Sequence, residues 1–187
     1  IDVRAHGLSE GKYNYCGTRE YSDVLAWTRF AHDALGNREI ILHGICVGGA
    51  SAVFAACRPE FPDYVACLVV EGLFSTFRES FALHMKAEHK PVFPVMNEIF
   101  WIARMESGMK VSESAPIRCI DRVKTPMLFL HGRQDAFSLP KRAQELYDKC
   151  TAPKKLVWME KGSHSHLRIN NTEIYDAAIT DFLREHA

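Results

Sequence analysis

No charge of either sign is in excess in this 187-residue sequence: lysine and arginine total 23, and so do aspartate and glutamate. A chain without a basic or acidic surplus lacks the electrostatic footprint that nucleic acid or an anionic bilayer demands. The partner is therefore expected to be a small molecule or another protein. No run reaches the ~18 consecutive apolar residues of a membrane span, and Ile1 to Gly7 lack the apolar centre of a signal peptide. Cysteine pairs at CxxC spacing are missing too. The six cysteines (Cys16, Cys46, Cys57, Cys67, Cys119, Cys150) are scattered, several inside apolar runs, which argues against a disulfide framework and for a reducing, cytoplasmic setting. Repeats, low-complexity tracts and linkers are absent as well, so one domain over residues 1–187 is expected. The first residue is Ile1 rather than Met, and the reading is of a chain that continues a longer one.

The sequence does have the apolar content for a core, at 47% hydrophobic and 11% aromatic. Short apolar runs at Glu39–Leu42, Val65–Val70, Pro126–Leu130 and Lys155–Met159 read as buried parallel strands. Before, between and after them, Tyr21–Leu35, Gly49–Cys57, Lys141–Cys150 and Thr172–Arg184 have helical periodicity. In the last, Ile174, Ala177, Ala178, Asp181 and Phe182 are expected to share the buried face. Alternating strand and helix gives an α/β class with right-handed crossovers. Residues 72–124 break the alternation. They are long, aromatic and punctuated by Pro91, Pro94 and Pro116, and read as one or two irregular helices over the carboxyl edge of the sheet.

Three motifs fall at strand ends, after the first, third and fourth runs. Gly44-Ile45-Cys46-Val47-Gly48-Gly49 sits between the Ile40–His43 strand and a helix of small residues. A nucleophile elbow needs this pattern, with the reactive residue on a strained turn and glycines that let strand and helix close up. The helix N-terminus would then favour a Cys46 thiolate, and the Val47 N–H would donate to a developing oxyanion. A glycine pair between strand and helix is also compatible with mere packing. His131-Gly132-Arg133-Gln134-Asp135 follows the third strand and puts Asp135 at the same edge. Gly162-Ser163-His164-Ser165-His166 follows the fourth and offers His164 as a base. The order nucleophile, acid, histidine suits a triad.

Together Gly44–Gly48, His131–Asp135 and Gly162–His164 resemble the α/β-hydrolase superfamily, and Asp2-Val3-Arg4-Ala5-His6-Gly7-Leu8-Ser9-Glu10-Gly11 is similar to a segment after the fourth strand of its esterase-like and lipase-like members. The similarity runs over essentially the whole chain. It implies an α/β-hydrolase fold lacking its N-terminal strands, with Cys46 as nucleophile, Asp135 as orienting acid and His164 as base. The elbow residue is usually serine, and dienelactone-hydrolase-like members also carry cysteine there. The resemblance further implies that three strands and most of a fourth precede Ile1, with the loop that completes the oxyanion hole. Without them the first strand here would have an uncovered edge, to be closed by more of the same protein, a second copy or a partner.

Lesser candidates have plainer readings. Glu71 is an alternative acid, but a capping or solvent-facing carboxylate is the expectation. His164 and His166 are too few for a metal site, and no metal or cofactor is expected. His6, His43, His84 and His89 read as structural. Among Phe74, Phe77, Phe81, Phe93, Phe100 and Trp101, only Phe74 is nominated as a pocket wall, the rest pinning a cap to the sheet; the other cysteines read as small core hydrophobes. The sequence thus predicts a hydrolase of an ester, thioester or lactone working through an acyl-enzyme. The competing prediction is a catalytically inactive binding protein on the same fold.

Overall fold

A computed structural model describes residues 1–186; Ala187, the last residue of the expected 1–187 unit, lies outside the described residues. Four strands, β1 (Ile40–Ile45), β2 (Val65–Glu71), β3 (Met127–Gly132) and β4 (Lys154–Met159), form one sheet in the order β1-β2-β3-β4 with every neighbouring pair parallel. The central strands are buried on both faces, which is why they read as unbroken apolar runs. Alternation survives inside them. Leu68 and Val70 of β2 join Met127 and Phe129 of β3 in one core cluster, while Cys67, Val69, Leu128 and Leu130 face the other.

Helices cover both faces. Helices α1 (Tyr21–Asp33), α2 (Val47–Ala56) and α5 (Pro140–Lys149) lie on one, and α7 (Thr172–His186) packs on the other behind the short α6 (Leu167–Asn170). Helix α2 is buried at every position from Gly49 to Ala56, as its small uncharged side chains allow. The stripe expected on α7 holds at Ala178 and Phe182 but starts at Tyr175 rather than Ile174. Tyr175, Ala178 and Phe182 are buried, whereas Ile174 is 58% exposed and Ala177 and Asp181 face outward. The cause is polar: the Tyr175 hydroxyl donates to Glu71 Oε2 at 2.7 Å and meets His43 Nε2 at 2.8 Å, so the ring turns inward where an aliphatic count would place Ile174.

Residues 72–124 hold two regular helices, α3 (Phe77–Ala87) and α4 (Val95–Ser107), rather than irregular ones. Thr76 caps the first by accepting from the Glu79 amide, and left-handed Gly108 closes the second. The irregularity is confined to three 3-10 turns at Val111–Glu113, Pro116–Arg118 and Ile120–Arg122. Phe74, Phe77, Phe81 and Phe100 form a ladder of rings at 5.7, 5.9 and 5.2 Å that fastens α3 to the core and α4 to α3. Phe93 and Trp101 take no part and are 78% and 64% exposed. Strand β1 is outermost, with Ile41, His43 and Ile45 exposed along it. No helix among the described residues is long and apolar enough to cross a membrane.

Candidate functional site

All four strands run the same way, so the loops leaving their carboxyl ends share one edge. Register does the rest: Ile45 pairs with Glu71, Glu71 with Leu130, and Leu130 with Val157. Cys46, Gly72, the 131–138 loop and the 160–167 loop therefore emerge side by side. Cys46 caps α2 with φ 52° and ψ −109°, a left-handed backbone costly for a residue with a Cβ. The turn is held at both ends, by the Cys46 amide donating to the Glu71 carbonyl at 2.9 Å and by its own carbonyl accepting from Ala50 at 3.0 Å.

Steric need singles out two of the three elbow glycines. A Cβ on Gly44 would lie 2.5 Å from the backbone of Gly48 and Gly49, and one on Gly49 would lie 3.1 Å from the Gly44 carbonyl oxygen. Gly48 has open space where a Cβ would go. The close approach expected of all the flanking glycines belongs to Gly44 and Gly49, while Gly48 fronts a cavity.

His164 Nδ1–H donates to Asp135 Oδ2 at 2.8 Å, and both side chains are nearly inaccessible, at 8% and 1%. Asp135 also accepts from the Phe137 and Ser138 amides at 2.9 and 2.7 Å through Oδ1. Burial alone would raise its pKa, but the His164 hydrogen bond and these amides hold it below the ordinary carboxylate value. For His164, burial likewise opposes the charge. The Asp135 carboxylate and then the Cys46 thiol outweigh it and push the imidazole up to about 10. Among the described residues the second nitrogen, Nε2, is buried with no hydrogen-bond partner of ordinary geometry, a condition that costs ~1–3 kcal/mol unless something else uses it.

The sequence reading gives two supporting residues, His131 and Gly72, no role of their own. His131 is buried, its pKa lowered by that burial, and its Nε2–H bonds the Ser138 carbonyl at 2.6 Å, closing the loop that carries Asp135. Gly72 has φ 56°, and a Cβ there would stand 3.2 Å from the His164 ring and 3.5 Å from Asp135 Oδ2. Its only sequence signal is a glycine at a strand end. Gly72→Ala is expected to leave the fold intact while pushing the imidazole off the carboxylate. Loss of the downfield His164 proton in an NMR spectrum, with an unchanged circular dichroism spectrum, checks this.

Glu71 does not serve His164. Its carboxylate accepts from the Leu167 amide at 3.3 Å and from Tyr175, so it caps α6 and anchors the far end of the His164 loop, in line with the capping reading but without facing solvent. His166 points away, its Nδ1 meeting the His164 carbonyl at 3.0 Å. His43 takes the structural place expected of it, on Tyr175. His84 lies closer to the site than expected: it stacks on Phe137 with centroids 3.8 Å apart and stands edge-on to His164 at 6.1 Å. Phe74, nominated for a pocket, is 2% exposed in the core. Its neighbour Phe77 instead lines a cavity of about 490 Å³ beside the elbow, with Val3, Val24, Leu42, Val47 and Ala52 among the walls. The reason is the ladder of rings, which needs Phe74 underneath.

Comparison with known proteins bears on this arrangement. The family model described as alpha/beta hydrolase fold matches residues 1–96, just over half of the chain and including the elbow. The chain belongs to the alpha/beta hydrolase fold family. A serine hydrolase family model matches residues 75–166, the span that holds Asp135 and His164. Among curated relatives of this hydrolase-fold chain, the uncharacterized protein YqkD of Bacillus subtilis is 27% identical over 187 residues, covering 97% of this chain and 60% of that protein. A pimeloyl-[acyl-carrier protein] methyl ester esterase of Neisseria meningitidis is 22% identical over 180 residues, covering 87% of this chain and 69% of the esterase. Of solved structures, the Pyrococcus furiosus esterase Pf2001 superposes with a TM-score of 0.77 at 22% identity, over 99% of this chain and 69% of that one. The chain thus spans about 60% of the length of the B. subtilis relative.

Proposed function

We propose that this chain carries the catalytic centre of a carboxylic ester hydrolase that works through an acyl-enzyme on Cys46. The observation that carries the proposal is the buried, unpartnered His164 Nε2 behind an Asp135-bound imidazole, beside a cysteine held at φ 52° on a helix N-terminus. A domain that only binds gains nothing from leaving that nitrogen unsatisfied, so the non-catalytic reading has no observation in its favour. In the proposed cycle the imidazole holds the proton, as its raised pKa favours, and the Cys46 sulfur attacks the acyl carbon. The Val47 amide receives the oxyanion, Asp135 keeps the ring oriented, and the His164 imidazolium protonates the departing alcohol or thiol. The neutral ring then takes a proton from water, which cleaves the acyl-enzyme.

The apolar cavity beside the elbow suits the acyl part of an ester, thioester or lactone. We further propose that the chain is a single unit whose 72–124 segment covers the site, and that six free thiols suit a reducing compartment such as the cytoplasm. The open edge of β1 is where additional strands, a second copy or a partner chain would pair. Hydrolysis of p-nitrophenyl acetate before and after alkylation with iodoacetamide tests the reading. One alkyl group on Cys46 is expected to stop turnover, and substrate to slow the alkylation. An enzyme fully active with Cys46 alkylated refutes it. In Cys46→Ser the sulfur's support for the imidazolium is gone. The His164 pKa then falls, and activity is expected to rise with pH as the ring becomes neutral and able to take the hydroxyl proton. A flat profile would contradict that.

A further inference from the structure

Helix α2 has a cysteine at each end, and only Cys46 belongs to the site above. Cys57 is the C-terminal cap, about 15 Å away for a ten-residue helix. It is half-buried, and its thiol donates to the Cys119 carbonyl at 3.1 Å. Cys119 sits between the Pro116–Arg118 and Ile120–Arg122 turns, and its own thiol donates to the Pro116 carbonyl at 3.6 Å. Both line a separate cavity of about 280 Å³, together with Thr18, Arg58, Arg118 and Arg122. Among the described residues none of these three arginines is engaged in a salt bridge. Cys119 is itself buried, at 4% exposed, but with half-buried Cys57 it borders a hollow that three arginines and Glu113 also line, which sets the pair apart from Cys67 and Cys150, core residues at 0% and 1%.

We propose that Cys57 and Cys119 form a reversible redox site, oxidised to a disulfide by hydroperoxides that enter this cavity. Cys119 attacks. Its thiol is the one whose pKa is lowered, first by the neighbouring Cys57 thiol, then, against the cost of burial, by Arg122; Cys57 is correspondingly raised. The Cys119 sulfur displaces alkoxide, or hydroxide from hydrogen peroxide, from the terminal peroxide oxygen. An S–O bond forms, the O–O bond breaks, and the leaving oxygen takes up a proton. The Cys57 sulfur then attacks the resulting sulfenic acid. An S–S bond forms, the S–O bond breaks, and the hydroxyl leaves as water with the Cys57 proton. Two thiols and one hydroperoxide thus give one disulfide, one alcohol or water, and one further water. The new bond would tie the end of α2 to the 3-10 turns, at the far end of the helix from Cys46.

The test treats the full chain with hydrogen peroxide, alkylates all remaining thiols under denaturing conditions and maps the peptides. Free Cys57 and Cys119 are expected to disappear together into one cross-linked peptide lighter by two hydrogens, restored by dithiothreitol, while Cys67 and Cys150 stay fully alkylated. In Cys57→Ser, dimedone present during oxidation should capture Cys119 as the sulfenic acid, which the parent does not accumulate. Cys57 and Cys119 no more oxidised than Cys67 and Cys150 would overturn the proposal, whatever happens to Cys46. So would a folded Cys57→Ser chain in which dimedone fails to mark Cys119.

Discussion

Replacing Asp135 by asparagine is expected to lower kcat/KM for an activated ester by roughly 10³ to 10⁴ while leaving the chain folded, because an amide in that place no longer fixes the tautomer or supports the imidazolium. The geometry makes the effect large. Asp135 is 1% accessible at its side chain and spends one oxygen on His164 and the other on two loop amides, so water cannot substitute for it. The same substitution changes stability against pH in a defined direction. His164 has a folded-state pKa raised from 6.5 to about 10. Its contribution is therefore fully present below about pH 6.5 and lost as pH rises through 10. Urea midpoints of the parent should fall between pH 6 and pH 10, and those of Asp135→Asn should fall less. Equal slopes in the two proteins would mean that the pair contributes nothing to folding.

The second large effect concerns Gly44. Gly44→Ala is expected to destabilise the chain by about 3 kcal/mol, since the added methyl would meet the backbone of Gly48 and Gly49 at 2.5 Å, and backbone, unlike a side chain, cannot turn aside. Gly48→Ala, four residues along in the same motif, should melt within a few degrees of the parent because its Cβ meets nothing within 4 Å. Thermal unfolding of both variants checks the pair. Similar melting temperatures would show that β1 and α2 are not as close as described, and with them the turn that presents Cys46.

Much of this arrangement was legible in the sequence, because a parallel sheet turns linear order into proximity: motifs after β1, β3 and β4 must meet at one edge. Cys46, Asp135 and His164 were accordingly readable from glycine and histidine patterns at strand ends. Less legible were features set by a single polar contact across the fold. The inward turn of Tyr175 depends on Glu71 and His43, 104 and 132 positions away, and no helical period encodes it. Gly72 carries no signal of its own, because a glycine after a strand looks like any turn residue until the His164 ring is seen against it. Phe74 and Phe77 differ by one being beneath the other, which composition cannot express. The contact of the Cys57 thiol with the Cys119 carbonyl is of the same kind, since 62 residues separate them.

The most direct test of the account is intact-mass spectrometry of the chain after brief exposure to p-nitrophenyl acetate, beside Cys46→Ala. The account predicts one acetyl group on the parent, mapped to the Cys46 peptide, decaying with release of acetate, and none on the variant. An adduct that is missing from the parent, or equally abundant on Cys46→Ala, would contradict it.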